Sequence, residues 1–317
     1  MPANRQFGMD HPHYDWSPIT TRGVLRWPDN ARIALCVIVN LEHMEWETPT
    51  GSFQSRSLAG GSVARPFPDY ARLSHREYGH RVGIFRVLDV LEKHGIKATV
   101  ALDAMTAANY PYLVRHLLGR GCEIIGHGVS VSRMINSGMT EEQEREYISE
   151  SLIALTTATG SAPKGWLGPE YGESSRTPQL LAEAGISYVC DWTNDEQPYP
   201  LKAPQGEILA LPTMLELDDV HAMADRKVTM DRYSLMLREG FDAMYEDGAT
   251  NGRVMVLHLH PWLIGQPFRI GCLDEALAHM VRRQGVWAAT GGEITDWYRQ
   301  KPPVGGARET ASSVTML

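Results

Sequence analysis

Several places along this 317-residue sequence gather side chains able to move a proton or orient a water molecule. They are Glu42 with His43 and Glu45, Asp103, His127, Glu170 with Glu173, Asp191 with Asp195 and Glu196, and His258 with His260. A carboxylate and an imidazole meeting in one cavity can activate water and protonate a leaving group, which is the chemistry of hydrolysis. Competing chemistries lack their motifs. No G-x-G-x-x-G follows a strand, and neither a P-loop nor a G-x-S-x-G elbow is present, while Gly60-Gly61-Ser62 is loop composition only.

The elements that must position these groups alternate between strand and helix. Ala31–Leu41 is a near-continuous apolar run, as in a strand covered on both faces. Arg81–Lys93 places Val82, Phe85, Leu88 and Leu91 at helical spacing and stops at Gly95. Strands follow at Lys97–Leu102, Cys122–Gly126, Gly165–Leu167, Ser187–Asp191, Ile208–Leu211, Val254–Leu259 and Val286–Ala289. Helices intervene at Ala107–Gly119, Thr140–Thr157, Thr177–Ala184, Asp231–Tyr245, Leu273–Arg283 and Glu293–Arg299. This β-then-α order predicts an α/β fold with a mostly parallel sheet, rolled into an irregular (β/α)7-type barrel. The expected organisation is an N-terminal extension over 1–30, one barrel domain over 31–300, and a flexible tail over 301–317. Two long segments, Glu45–Gly79 and Trp192–Glu207, break the rhythm and read as covers or subunit contacts.

In a parallel barrel the reactive groups collect at the carboxyl ends of the strands. Glu42, Asp103, His127, Glu170, Asp191 and His260 all follow strands in this reading. Polar loops alone account for the glutamates, and Glu42 could equally cap an element or pair with an arginine. They account less well for His127 between Gly126 and Gly128, where the backbone turns sharply. The two histidines of His258-Leu259-His260-Pro261 are read as facing opposite ways, with His260 in the barrel mouth and His258 packed outside. Trp166, Trp192 and Trp262 serve equally well as pocket wall or as lid packing.

In order and spacing, these motifs resemble the NodB-homology polysaccharide deacetylases, which share a glycoside hydrolase/deacetylase barrel. The carrying segments are Tyr78–Arg86 (Tyr78-Gly79-His80-Arg81-Val82-Gly83-Ile84-Phe85-Arg86), Glu123-Ile124-Ile125-Gly126-His127-Gly128, Thr159–Trp166 and Leu259–Pro267 (Leu259-His260-Pro261-Trp262-Leu263-Ile264-Gly265-Gln266-Pro267). Within that family the sequence is most similar to the branch of metal-independent allantoinases and cyclic imide hydrolases, and the similarity spans about Arg32 to Tyr298. Metal-dependent members carry a T-F-D-D strand end and two histidines four residues apart. Here the strand ends Val39-Asn40-Leu41-Glu42, and the position four after His127 is Val131.

The resemblance therefore implies hydrolysis of a carbon–nitrogen amide bond in a small cyclic amide or imide, with no tightly bound cofactor. Glu42, its pKa raised by enclosure, is the expected base, and His127 and His260 orient water, hold the oxyanion or protonate the leaving nitrogen. Arg81 is expected to hold a substrate carbonyl or carboxylate, and Tyr78, Trp166, Glu170, Asp191, Trp192 and Trp262 to contact substrate. The rival readings are a Zn-, Co- or Ni-dependent N-deacetylase of an amino sugar or peptidoglycan unit, and a barrel that binds without catalysis. Glu42 and His127 would be the metal's first ligands, fewer than the three protein groups of a catalytic zinc site, with Asp103 or His260 as a third.

A net charge of −8 argues against nucleic acid or an anionic membrane as partner. The sequence holds no apolar run long enough for a bilayer and opens on a polar stretch, so a cytoplasmic location is expected. Cys36, Cys122, Cys190 and Cys272 show no C-x-x-C spacing and read as reduced core thiols. The resemblance also implies a homo-oligomer, of tetramer order, acting on a small molecule.

Overall fold

The computed structural model describes residues 11–47, 49 and 68–300. The expected tail and most of the first long segment, with Gly60-Gly61-Ser62, lie outside the described residues. In chain order the elements begin with β1 (Ile33–Leu41), α1 (Tyr70–Tyr78), α2 (Ile84–Lys93), β2 (Thr99–Leu102), α3 (Ala104–Asn109) and α4 (Pro111–Gly119). They continue with β3 (Glu123–Gly126), α5 (Glu141–Thr159), β4 (Gly165–Trp166), α6 (Thr177–Glu183), β5 (Tyr188–Val189), β6 (Tyr199–Leu201) and β7 (Ile208–Ala210). The last are α7 (Met230–Asp247), β8 (Arg253–Leu259), α8 (Ile270–Val281), β9 (Val286–Ala288) and α9 (Gly291–Gln300).

The strands form one sheet in the order β6-β7-β5-β4-β3-β2-β1-β8, with β9 beside the start of β1. All pairings are parallel except β6 with β7. The fold is thus a curled, mixed α/β half-barrel, open between β6 and β8. β6 is an addition to the expected set; Pro200 within it is tolerated because it lies on the edge strand. The predicted helix over Ala107–Gly119 is two helices instead. Pro111 cannot continue a helix, and Tyr110 before it adopts φ −124°, so α3 ends and α4 begins there.

β1 is buried along its whole length, and the pleat divides its residues between two cores. Ile33, Leu35, Val37, Val39 and Leu41 pack under the outer helices, whereas Ala34, Cys36 and Ile38 join the inner core. On β8, Met255, Leu257 and Leu259 face out, and Val254 and Val256 face in. Continuing each inner row to the strand end leads to Asn40 and Glu42 on one strand, and to His258 and His260 on the other. The floor of the site is therefore the end of an apolar row.

Segment 11–30 adds Leu25 and Trp27 to the inner core. All four cysteines are free, with Cys36 and Cys190 buried and Cys122 and Cys272 only half-buried. Among the described residues no helix is long and apolar enough to cross a membrane.

α1 runs into α2 through a π-helical turn at Gly79–Gly83, a feature that recurs at functional sites. It brings the chain hard against the loop after β8, where a Cβ on Gly83 would lie 2.0 Å from the Pro261 carbonyl oxygen. Gly83→Ala is expected to destabilise the protein by about 1–3 kcal/mol. Urea unfolding measures this, and an unchanged midpoint would contradict the packing.

Candidate active site

The strand ends surround a cavity of about 310 Å³. Glu42, His127, Glu170, Asp191 and His260 all line it, although they come from five different strand ends. Asn40, Tyr171, Asp218 and His258 line it as well.

Glu42 is the hub. Its Oε1 lies 3.2 Å from His127 Nε2 and 3.7 Å from His260 Nε2, and its Oε2 accepts from the Arg76 guanidinium at 3.1 Å. Burial alone would push this carboxyl up, as the sequence led us to expect. Instead the His260 charge, the His127 hydrogen bond and the Arg76 charge outweigh burial and hold it down to about 2. The expectation of a raised pKa is corrected accordingly: enclosure came together with three cationic or hydrogen-bonding partners. Glu42 is an anion throughout the physiological range.

His260 is the complementary charge. Burial works against its ionisation, but Asp219, Glu42 and Asp218 raise it to about 10. Its Nδ1 donates to Asp219 at 2.7 Å, and Asp219 also accepts from the His260 backbone N–H, so ring and backbone share one anchor. His127 is fixed differently: its Nδ1 donates to the Leu167 carbonyl at 2.6 Å, which turns Nε2 toward Glu42. The turn that frees it depends on Gly128, at φ +68° with Tyr147 closing over it.

His258 did not pack outside. Residues two apart on a strand share a face, so His258 and His260 both point inward, and the reading that parted them is corrected. His258 Nδ1 lies 2.7 Å from Asp218, and the Tyr171 hydroxyl donates to the same carboxylate at 2.9 Å. The Asn40 amide nitrogen sits against the Nε2 atoms of both histidines, at 2.5 and 2.8 Å. Glu170 and Tyr171 hold left-handed backbone at φ 53° and 59°, an energetic cost that recurs where side chains must be aimed into a site.

Other expected residues lie elsewhere. Arg81 is exposed and does not line the cavity. The guanidinium at the site is that of Arg76, five residues earlier in α1, buried and stacked 4.0 Å over the Trp262 ring. Tyr78 hydrogen-bonds to Arg86 beside the Gly265 carbonyl. Trp166 is fully buried in the core under α5, and Trp192 packs edge-on against Tyr14; neither lines the cavity. Asp103 is used as the N-cap of α3, accepting from Thr106 N at 2.6 Å and from His43 N.

Arg76, Asn40, Tyr171, Asp218 and Asp219 were missed by the sequence reading. Arg76 falls in a segment read as loop, and nothing local marked it. The Asp218-Asp219 pair follows β7 as the other site residues follow their strands, so that signal was present.

One ligand atom each from Asp218, His258 and His260 lies within 4.8 Å of the others. The group does not fit a divalent ion as it stands. Asp218 and His258 are 2.7 Å apart, a hydrogen-bond distance. Two ligands of one tetrahedral zinc would sit about 3.3 Å apart. His260 Nδ1 is committed to Asp219, and its Nε2 faces an amide nitrogen. Glu42 and His127 gain no third ligand within the same reach among the described residues.

Comparison with known proteins agrees with this architecture. Residues 77–189 match the polysaccharide deacetylase family model. A Schizosaccharomyces pombe protein named "Putative polysaccharide deacetylase" is 29% identical over 303 residues, covering 87% of this chain and 93% of its own. A Pseudomonas aeruginosa PAO1 structure, a "probable Polysaccharide deacetylase", gives a TM-score of 0.77 at 28% identity, covering 88% of this chain and 95% of that one. The Puue allantoinase structure gives 0.79 at 26% identity, covering 95% and 100%.

The opposed charges fix a pH signature for stability. Glu42 contributes fully above its ordinary 4.5 and loses its contribution as pH falls toward about 2. His260 contributes fully below its ordinary 6.5 and loses its contribution as pH rises toward about 10. The stability gap between wild type and Glu42→Gln should therefore be widest between pH 4.5 and 6.5 and narrow on both sides. A gap independent of pH in urea unfolding would refute the pairing.

Proposed function

Because this chain carries a polysaccharide deacetylase domain, we propose that it hydrolyses a carbon–nitrogen amide bond in a small cyclic amide or imide. The observation that carries the proposal is the pairing of Glu42 with His260, 3.7 Å apart in one cavity, where each charge favours the other: Glu42 is held down to about 2 and His260 raised to about 10. These are the protonation states that water activation and leaving-group protonation require.

In this reading water adds to the amide carbon as Glu42 accepts its proton. His260 delivers its own proton to the departing nitrogen, and the carbon–nitrogen bond breaks to give a carboxylic acid and an amine or amide. A carboxyl held near 2 is a weak base by itself. However, the His260 charge is the first of the groups that depress it. As that proton moves to the leaving nitrogen the depressing charge is lost, so Glu42 keeps the proton it took from water through carbon–nitrogen cleavage. His127, tied to the Leu167 carbonyl, is placed to direct the water or the developing oxyanion.

A strained or activated ring amide asks less of such a site than an acetamido sugar does. The cavity of about 310 Å³ also lies at the small end of ligand pockets. The likeness to Puue allantoinase supports the same substrate type.

The test is a panel of allantoin, hydantoin, succinimide, phthalimide and N-acetyl sugars, followed by ring opening and by acetate release, with and without chelator. Ring opening that survives chelation is expected. Glu42→Gln should lower kcat by about 10²- to 10⁴-fold while the protein stays folded. Full turnover by that variant would remove Glu42 from the chemistry, and chelator-sensitive acetate release would favour the deacetylase reading.

A further inference from the structure

A carboxyl on the far wall of the cavity, Asp191, and the Glu173 carboxyl in contact with it take no part in the chemistry above. Asp191 lines the cavity at the end of β5, and its Oδ1 accepts from the Gly168 backbone N–H at 2.7 Å. Its Oδ2 is buried and meets no N–H donor, while the Glu173 carboxyl has the Trp192 indole N–H beside it. The two side chains are within hydrogen-bonding contact of each other. Two carboxylate oxygens cannot satisfy one another; a carboxylic acid and a carboxylate can. The contact therefore calls for one proton.

Its location follows from the surroundings. Burial, then the Asp191 and Glu144 charges, push Glu173 well above the usual carboxylate range. Asp191 is also raised by burial, but the Gly168 N–H and Glu173 both hydrogen-bond to its charged form. Glu173 is the better acid to keep protonated, and Asp191 the better anion. Asn40 is 2% exposed and lies against the two histidines, where its amide oxygen is the group that can accept from a protonated His260.

Resting on the hydrolase reading, we propose that Asp191 is a specificity-determining acceptor for a substrate N–H, held in place by the O–H of a neutral Glu173. The site then selects rings with a free N–H group, of hydantoin type, over their N-alkylated counterparts. Asp191 touches substrate; Glu173 is a positioning residue that acts through it.

The experiment compares hydantoin, 1,3-dimethylhydantoin and 5,5-dimethylhydantoin, both as substrates and by calorimetric binding to the full chain. The last compound has the size of the second but keeps both N–H groups, so it controls for bulk. Loss of the donors should weaken binding at least about tenfold, the scale of one hydrogen bond to a charged acceptor. Glu173→Gln retains a donor to Asp191 and should keep near-wild-type KM, whereas Glu173→Ala should raise KM about tenfold.

Equal binding of the two dimethyl compounds, or no binding by any N–H compound, overturns the proposal. So does a Glu173→Gln variant as damaged as Glu173→Ala. Should no ring compound be turned over, the hydrolase reading fails by itself, and the binding comparison still decides this one.

Discussion

Burying an anion and a cation together is costly unless each keeps further partners, and the architecture of this protein is arranged around meeting that condition for Glu42 and His260. Glu42 keeps Arg76 and His127, and His260 keeps Asp219 at both its ring and its backbone. Each partner arrives from a different element: α1, the end of β3, and the turn after β7. The pairing thus ties together both flanks of the half-barrel. The helix carrying Arg76 continues into a π turn packed closely on Pro261.

Division of labour follows from the same arrangement. On the β1–β8 side the carboxylate and imidazole hold each other in their charged forms. On the β4–β5 side the backbone is strained at Glu170 and Tyr171, and carboxyls are pressed together. In the proposed reaction the first wall is the one for bond making and breaking, and the second the one for recognition. Asn40 and Tyr171 join the walls to the His258–Asp218 pair, which lies within the cavity but outside the Glu42 contacts.

Much of this was legible in the sequence because it rests on local patterns. The fully buried β1, the alternation of strand and helix, and the polar residues at successive strand ends all follow from periodicity. That Glu42, His127, Glu170, Asp191 and His260 meet at one cavity follows from parallel topology alone. What escaped depends on tertiary contact. Arg76 is chosen by its packing on Trp262, and the charge state of Glu42 by neighbours distant in sequence. The facing of His258 is a different matter, since the two-residue repeat of a strand already contained the answer.

The central claim is that His260 carries a proton because a buried carboxylate faces it. Imidazole nitrogen-15 shifts of His260, followed by NMR through a pH titration, test this most directly. The account predicts two protonated ring nitrogens across the neutral range, with loss of one proton only near 10. Ordinary titration near 6.5 would contradict it.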